Sequence, residues 1–201
     1  VLQGLEPIFS ALTGLSLLAE RLTDALGARQ VFIAQGDSDS SERARKEMGQ
    51  LAARILSEKT NKNQGIAIAG GSAMAELVQA MPQSAEPMAR MVVPARGSIG
   101  RRLELQADTL AARLAEKLHA EYRMLQLPDH LSNHVLDEMK KDAEIRETIE
   151  EMERANILLL GVGNALEMAE KRHLGEAVCE KLKQEQAVAE ACGHYFNGKG
   201  Q

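Results

Sequence analysis

The sequence predicts an α/β domain built on a doubly wound, mostly parallel sheet. Three observations carry that prediction. Short apolar runs of strand character alternate with stretches whose apolar residues recur at helical spacing. Glycine-rich turns follow several of the runs, where an open parallel sheet must pass from strand into helix. The 201 residues, 44% apolar and 26% charged, supply one sizeable core without disulfides or a structural metal.

The elements follow in order. Leu5, Ile8, Leu12, Leu15, Ala19, Leu22 and Leu26 repeat at three- and four-residue steps, which predicts a helix over 5–26. Its stripe is narrow enough to suit another helix or subunit as well as the domain's own sheet. Residues 30–34 read as a strand, and the turn cluster 36–41 ends in N-cap residues before a helix over about 41–58. Residues 65–69 form the next predicted strand, followed by Gly70-Gly71-Ser72 and a helix over about 73–81. Residues 91–93 are a third strand, 94–102 a Gly/Arg-rich loop, and 105–119 a helix burying Ala107, Leu110, Ala111, Leu114, Ala115 and Leu118. A fourth strand over 122–127 stops at Pro128, and two polar helices follow near 131–140 and 142–154. The apolar run 157–160 is the fifth strand. It leads through Gly161-Val162-Gly163 into a helix ending near His173, and a last helical region covers 175–184. With no repeat or linker, 29–201 is expected to be one domain, with 1–28 as an arm for linkage or oligomerisation.

Charge and ring content narrow the function. A formal net charge of −5 disfavours autonomous DNA binding, which needs clustered Lys and Arg to neutralise phosphates. Five aromatic residues and no tryptophan disfavour stacking platforms for single strands or for sugar faces. A small anion held by backbone amides and a few cations stays open. The longest apolar runs are far too short to span a bilayer, and no leader pattern opens the chain. Cys179 and Cys192 show no metal or CxxC spacing, which suits a reducing, cytoplasmic setting. Opening on Val1 and ending on the turn signal 197–201, the chain is expected to be a fragment of something longer.

In an open parallel sheet, ligands bind in the loops beyond the carboxyl ends of the strands. Three loops have suitable chemistry. In Gly70-Gly71-Ser72-Ala73, two glycines permit close backbone approach and the next helix offers unpaired N–H groups at its positive end. The same residues also describe a tight turn with Ser72 as the N-cap. In the loop 94–102, Arg96 stands directly after a buried strand, where a phosphate clamp is useful, with Arg101 and Arg102 to raise the local potential. Gln106 opens the next helix, where it either meets a sugar hydroxyl or is simply solvated. The third loop, Gly161-Val162-Gly163, lacks the last glycine of a dinucleotide turn, since Leu166 occupies that position, and it does not predict NAD binding. Lys171 and Arg172 follow on its helix as a possible cationic pair or a solvated one.

Other patterns carry less. His130 and His134 are spaced i, i+4 without the glutamate or third ligand of a zinc site. No G-x-S-x-G occurs, and Cys179 has no nucleophile context. The nine methionines read as core filler, and the charged run 140–154 as a solvated helix face. No metal or cofactor is expected.

The order of motifs carries a resemblance. Leu15…Ala19-Glu20-Arg21-Leu22, Gly36-Asp37-Ser38-Asp39, Lys46-Glu47-Met48-Gly49, Ile66-Ala67-Ile68-Ala69-Gly70-Gly71, Val93-Pro94-Ala95-Arg96-Gly97, Gln106-Ala107-Asp108-Thr109, Tyr122-Arg123-Met124-Leu125 and Gly193-His194-Tyr195-Phe196-Asn197 follow one another over almost the whole chain. Together they resemble the effector-binding domain of the SorC-type sugar-responsive regulators, above all those that repress glycolytic operons. The resemblance implies a Rossmann-like domain related to the sugar-phosphate isomerase and deaminase superfamily. It further implies a winged-helix DNA-binding region upstream, a dimer or tetramer, and operator binding that responds to a phosphorylated sugar. For the glycolytic members that sugar is fructose 1,6-bisphosphate.

Site residues carried over from the resemblance are a phosphate loop at Gly70, Gly71, Ser72 and Ala73, and a clamp at Arg96. A polar sugar contact falls on Gln106, a second cationic site on Lys171 and Arg172, and an acidic hydroxyl contact on Glu190. The family loop usually ends in two threonines, so Ala73 lacks a hydroxyl, and Lys171 stands where Arg is usual. Family members also run on past residue 201 with further sheet and helix, including a ligand-contacting lysine. Two rival expectations stand beside the sensor: a sugar-phosphate isomerase or deaminase on the same fold, for which Glu190 is the one placeable acid, and an oligomerisation module acting through the first helix.

Overall fold

A computed structural model of the chain describes residues 14–97, 102–125, 127–128 and 131–201. The predicted helix positions Leu5, Ile8 and Leu12, the loop residue Arg101, and His130 of the spaced histidine pair lie outside them.

The chain runs α1 (Leu15–Leu26), α2 (Glu42–Lys59), β1 (Gly65–Ile68), α3 (Ser72–Ala80), β2 (Met91–Pro94), a 3-10 turn (Leu103–Leu105) and α4 (Ala107–Leu118). It continues through β3 (Glu121–Tyr122), α5 (Asn133–Met139), α6 (Ala143–Glu153), β4 (Ile157–Leu159), β5 (Val162–Asn164), α7 (Ala165–Lys171), α8 (Glu176–Gln184), β6 (Ala187–Ala191) and β7 (His194–Asn197). β1 to β4 form a parallel sheet in the order β3-β2-β1-β4. The chain moves outward from β1 to β3, then returns to place β4 on the other side of β1. The order therefore reverses at β1, and the crevice between the loops after β1 and β4 is a topological switch point.

β1 and β2 are buried throughout, as interior parallel strands with both faces covered must be. Successive residues point to opposite faces: Ile66, Ile68 and Val92 pack with Leu56, Leu77, Val78, Leu110, Leu114 and Leu118 from α2, α3 and α4. Ala67, Met91 and Val93 pack on the other face with Met152 and Ala155 at the end of α6. The larger core thus lies under α2 to α4, and the smaller face carries small side chains.

Several expectations are corrected. Residues 30–34 are not a strand. They join neither sheet, Phe32 is exposed, and the run lines a shallow cleft with Ala19, Glu20, Thr23 and Asp24 of α1. A short apolar run without a ladder partner gains no strand hydrogen bonds. The strand predicted over 122–127 pairs only at Glu121 and Tyr122. Beyond them the Leu125 N–H donates to the buried Asp108 carboxylate at 2.8 Å instead of to a strand. The five predicted strands become seven among the described residues, because 30–34 drops out and three more form a separate antiparallel sheet in the order β5-β6-β7. Val162 and Gly163 belong to that sheet as the start of β5, and Asn164 caps α7 by accepting from the Leu166 and Glu167 N–H groups at 3.0 and 3.2 Å.

The Asp108 contact ties the segment after β3 to the first turn of α4. Asp108→Ala is expected to lower the unfolding free energy by about 1–3 kcal/mol, since it leaves a buried N–H without an acceptor. Asp108→Asn keeps an acceptor and should lose less. Urea denaturation of both variants checks the order.

Candidate functional site

The loop after β1 is shaped by its glycines. A Cβ on Gly70 would lie 2.6 Å from the Leu105 carbonyl oxygen, so only glycine lets this turn rest on the 3-10 turn before α4. The Gly71 N–H donates to that same carbonyl at 2.9 Å. Gly71, at φ 124°, is itself the N-cap of α3, and no side chain caps the helix. Ser72 is therefore the first helical residue rather than the cap, and it is exposed. The first N–H groups of this nine-residue helix therefore keep their partial positive charge at the switch point, with no side chain accepting from them as a cap. Ala73 packs its methyl against the core, so it can offer a ligand only its backbone. Gln106, half-buried, caps α4 next to this turn, and its carbonyl accepts from the Leu110 N–H at 3.0 Å.

The loop after β2 starts alongside, its Ala95 N–H bound to the Ile68 carbonyl at 2.8 Å. It carries Arg96, whose side chain is 12% exposed. The second sheet then brings charge to it. Glu190, the fourth residue of β6 and 4% exposed, accepts on its Oε1 from Arg96 Nη1 at 3.4 Å and from Arg172 Nη2 at 2.6 Å. The Gly193 N–H donates to the same oxygen. Gly193 sits in the β6–β7 turn at φ 90°, and a Cβ there would come within 2.8 Å of Arg96 Nη2. The hairpin thus closes on Arg96 with no side chain between them.

The structure brings Gly70, Gly71 and Ser72 together with Gln106 at one loop cluster, and Arg96, Arg172 and Glu190 together at the next. It separates Lys171 from Arg172. Lys171 faces solvent, 67% exposed and paired with Glu167 at 3.3 Å, while Arg172, at the α7 C-cap, is only 8% exposed. Adjacent helical residues point about 100° apart, so one cation of the pair goes inward and the other outward.

Sequence reasoning missed Gly193 and Tyr195. Tyr195 is the direct cross-strand partner of Glu190, which places both side chains on one face. Burial pushes its phenol above the ordinary tyrosine range, partly opposed by the Arg172 guanidinium. Among the described residues, Arg172 Nη1 and Tyr195 Oη make no hydrogen bond of regular geometry, although the guanidinium and the phenol lie close to each other. The motif containing Gly193 and Tyr195 was visible in the sequence; the hairpin that gives them a role was not.

Among the described residues no group of acids, histidines and cysteines is arranged to hold a metal, and no helix is long and apolar enough to cross a membrane. The described member of the histidine pair, His134, is exposed on α5.

Comparison with known proteins shows the family of the chain. The Sugar-bind model, a sugar-binding domain family, matches residues 10–201. The chain is 33% identical over 202 residues to the central glycolytic genes regulator of Priestia megaterium, and 31% identical over 201 to that of Bacillus subtilis. Each alignment covers all of this chain but 59% of the relative, so the chain spans about three-fifths of their length. A SorC family transcriptional regulator from Enterococcus faecalis superposes with a TM-score of 0.83 at 28% identity, covering 92% of this chain and 76% of that one. The full-length sorbitol operon regulator SorC from Klebsiella pneumoniae superposes at 0.81 with 19% identity, covering 90% and 60%, a likeness of fold alone.

Proposed function

The chain belongs to the Sugar-bind family of sugar-binding domains, and from that premise we propose that it is the effector-binding domain of a bacterial transcriptional repressor, sensing a phosphorylated sugar. Fructose 1,6-bisphosphate is the effector we assign, consistent with the glycolytic name of the two curated relatives. The reading rests chiefly on one observation: two guanidiniums from different loops converge on one carboxylate oxygen, with the buried Arg172 Nη1 left without an acceptor. A buried, charged donor without a partner costs free energy, and an anionic ligand oxygen would supply what it lacks. The uncapped N-terminus of α3 favours negative charge at the neighbouring loop. Glu190 receives all three of its donors on Oε1, which suits Oε2 to accept from a sugar hydroxyl. A carboxylate already engaged in this way is badly placed as the base of an isomerase or deaminase, a role that needs hydrogen-bond reach to a substrate carbon.

Operator DNA would be held by a separate upstream domain, and the effector would shift the balance between oligomeric arrangements that bind DNA strongly or weakly. A role for α1 in assembly is supported by its surface. No residue of α1 is buried, and Leu17, Leu18 and Leu26 are exposed along it. The protein would act in the cytoplasm, where sugar phosphates and DNA meet.

Thermal unfolding of the full-length protein with fructose 1,6-bisphosphate tests the assignment. At a ligand concentration about 100 times Kd, linkage adds about 2.7 kcal/mol, or roughly 5–10 °C in Tm. Arg96→Ala removes a charge-assisted contact and should weaken binding about 10- to 100-fold, cutting the ligand-induced shift by half or more. Each protein is compared with its own ligand-free Tm, because Arg96 also supports Glu190. An unchanged wild-type Tm would remove fructose 1,6-bisphosphate as the effector.

A further inference from the structure

We propose that the Tyr195 hydroxyl is a ligand contact of this site, forming with Arg172 Nη1 a subsite for one oxygen of the ligand's phosphate. The proposal rests on the sugar-phosphate reading above and adds a residue that neither the loop motifs nor the charged pairs pointed to.

The geometry starts from the hairpin. Glu190 and Tyr195 are paired across β6 and β7, so their side chains rise from the same face. Arg172 reaches that face from the end of α7 and binds Glu190 at 2.6 Å. Gly193 turns the hairpin so that its N–H meets the same carboxylate oxygen and its bare Cα faces Arg96. Every described donor to Glu190 is thereby fixed, and two buried polar atoms, Arg172 Nη1 and the Tyr195 hydroxyl, are left without a hydrogen bond of regular geometry, although the Arg172 guanidinium lies close enough to the phenol to draw it toward its anion. Burial, and after it the Glu190 carboxylate, hold the phenol above its ordinary range against the pull of Arg172 and Arg96, and a tyrosine in or above that range is protonated at neutral pH. Two donors around one carboxylate thus await an acceptor. A phosphate oxygen, negatively charged and able to accept more than one hydrogen bond, satisfies both at once, whereas a sugar hydroxyl carries no charge to match the guanidinium. A buried water bridging the two atoms is the competing occupant.

Tyr195→Phe removes only the hydroxyl and separates these cases. The full-length wild type, Tyr195→Phe and Arg96→Ala are titrated calorimetrically with fructose 1,6-bisphosphate and with inorganic phosphate, and their ligand-free Tm values are recorded. A phosphate contact predicts that Tyr195→Phe weakens both probes about tenfold. It also predicts a ligand-free Tm equal to or above that of the wild type, because an unpartnered buried hydroxyl has been removed. Unchanged affinity for both probes overturns the contact while leaving the sugar-phosphate reading intact. Weakening for the sugar phosphate but not for inorganic phosphate overturns the phosphate assignment. A fall in ligand-free Tm shows a structural hydrogen bond, through water or to Arg172, and also overturns it. A wild type that binds neither probe overturns the sugar-phosphate reading and this contact with it.

Discussion

Glu190→Ala is expected to lower the unfolding free energy by about 3–5 kcal/mol, the range for removing one partner of a buried ion pair. The size follows from what stays behind. Arg172 is 8% exposed and Arg96 12% exposed, so neither guanidinium can turn fully into water to recover its hydration. The Gly193 N–H loses its acceptor as well. Glu190→Gln keeps an oxygen for one or two of these donors and should lose about half as much. Chemical denaturation measures both. The variant also carries its own signature: inorganic phosphate should raise the Tm of Glu190→Ala more than that of the wild type, because an outside anion can take the vacated position between two cations. A loss below about 1 kcal/mol would place the pair in the class of solvated surface bridges, against the burial described here.

Gly70→Ala is the second large effect. The added methyl would lie 2.6 Å from the Leu105 carbonyl oxygen and 3.3 Å from the Ala107 backbone N, and neither contact is a flexible side-chain end that can swing away. Either the β1–α3 turn or the start of α4 must move. Overpacking against backbone destabilises by about 1–3 kcal/mol. The functional loss should be larger than the stability loss implies. The turn aims the first N–H groups of α3, and the Gly71 bond to Leu105 holds Gln106 beside them. Sugar-phosphate affinity is expected to fall by at least about tenfold, as measured by titration calorimetry on a variant shown to be folded. A folded Gly70→Ala with wild-type affinity would mean that this turn does not form the phosphate loop.

These effects show how far the sequence could be read. The parallel sheet was legible because β1 and β2 are continuous apolar runs bounded by glycine and proline, the pattern of strands buried on both faces. Residues 30–34 have the same local pattern and no ladder to join, and periodicity alone cannot tell these apart. The antiparallel sheet was invisible for the opposite reason. β6 is Ala-Val-Ala-Glu-Ala, with one β-branched residue and a charge at its fourth position, and its pairing with β5 and β7 depends on tertiary position rather than local propensity. The site followed the same division. Gly70, Gly71 and Arg96 could be singled out in the sequence because they stand at strand ends. Lys171 and Arg172 could not be told apart in sequence, since their difference is the direction of each side chain from the last turn of α7. The resemblance marked Glu190 as a residue of interest. Only the hairpin shows why it matters, by placing it between Arg96 and Arg172 with Tyr195 across the strand.

Phosphate recognition would fall to two buried guanidiniums, those of Arg96 and Arg172. Equilibrium titration of the full-length protein with fructose 1,6-bisphosphate and with unphosphorylated fructose tests that most directly. Saturable binding of the phosphorylated sugar, at least about 100-fold tighter than fructose, is the predicted result, since each charge-assisted contact contributes a factor of roughly ten or more. Equal affinity for the two sugars would contradict the account, because Arg96 and Arg172 would then be structural charges and the ligand would be recognised by its hydroxyls alone.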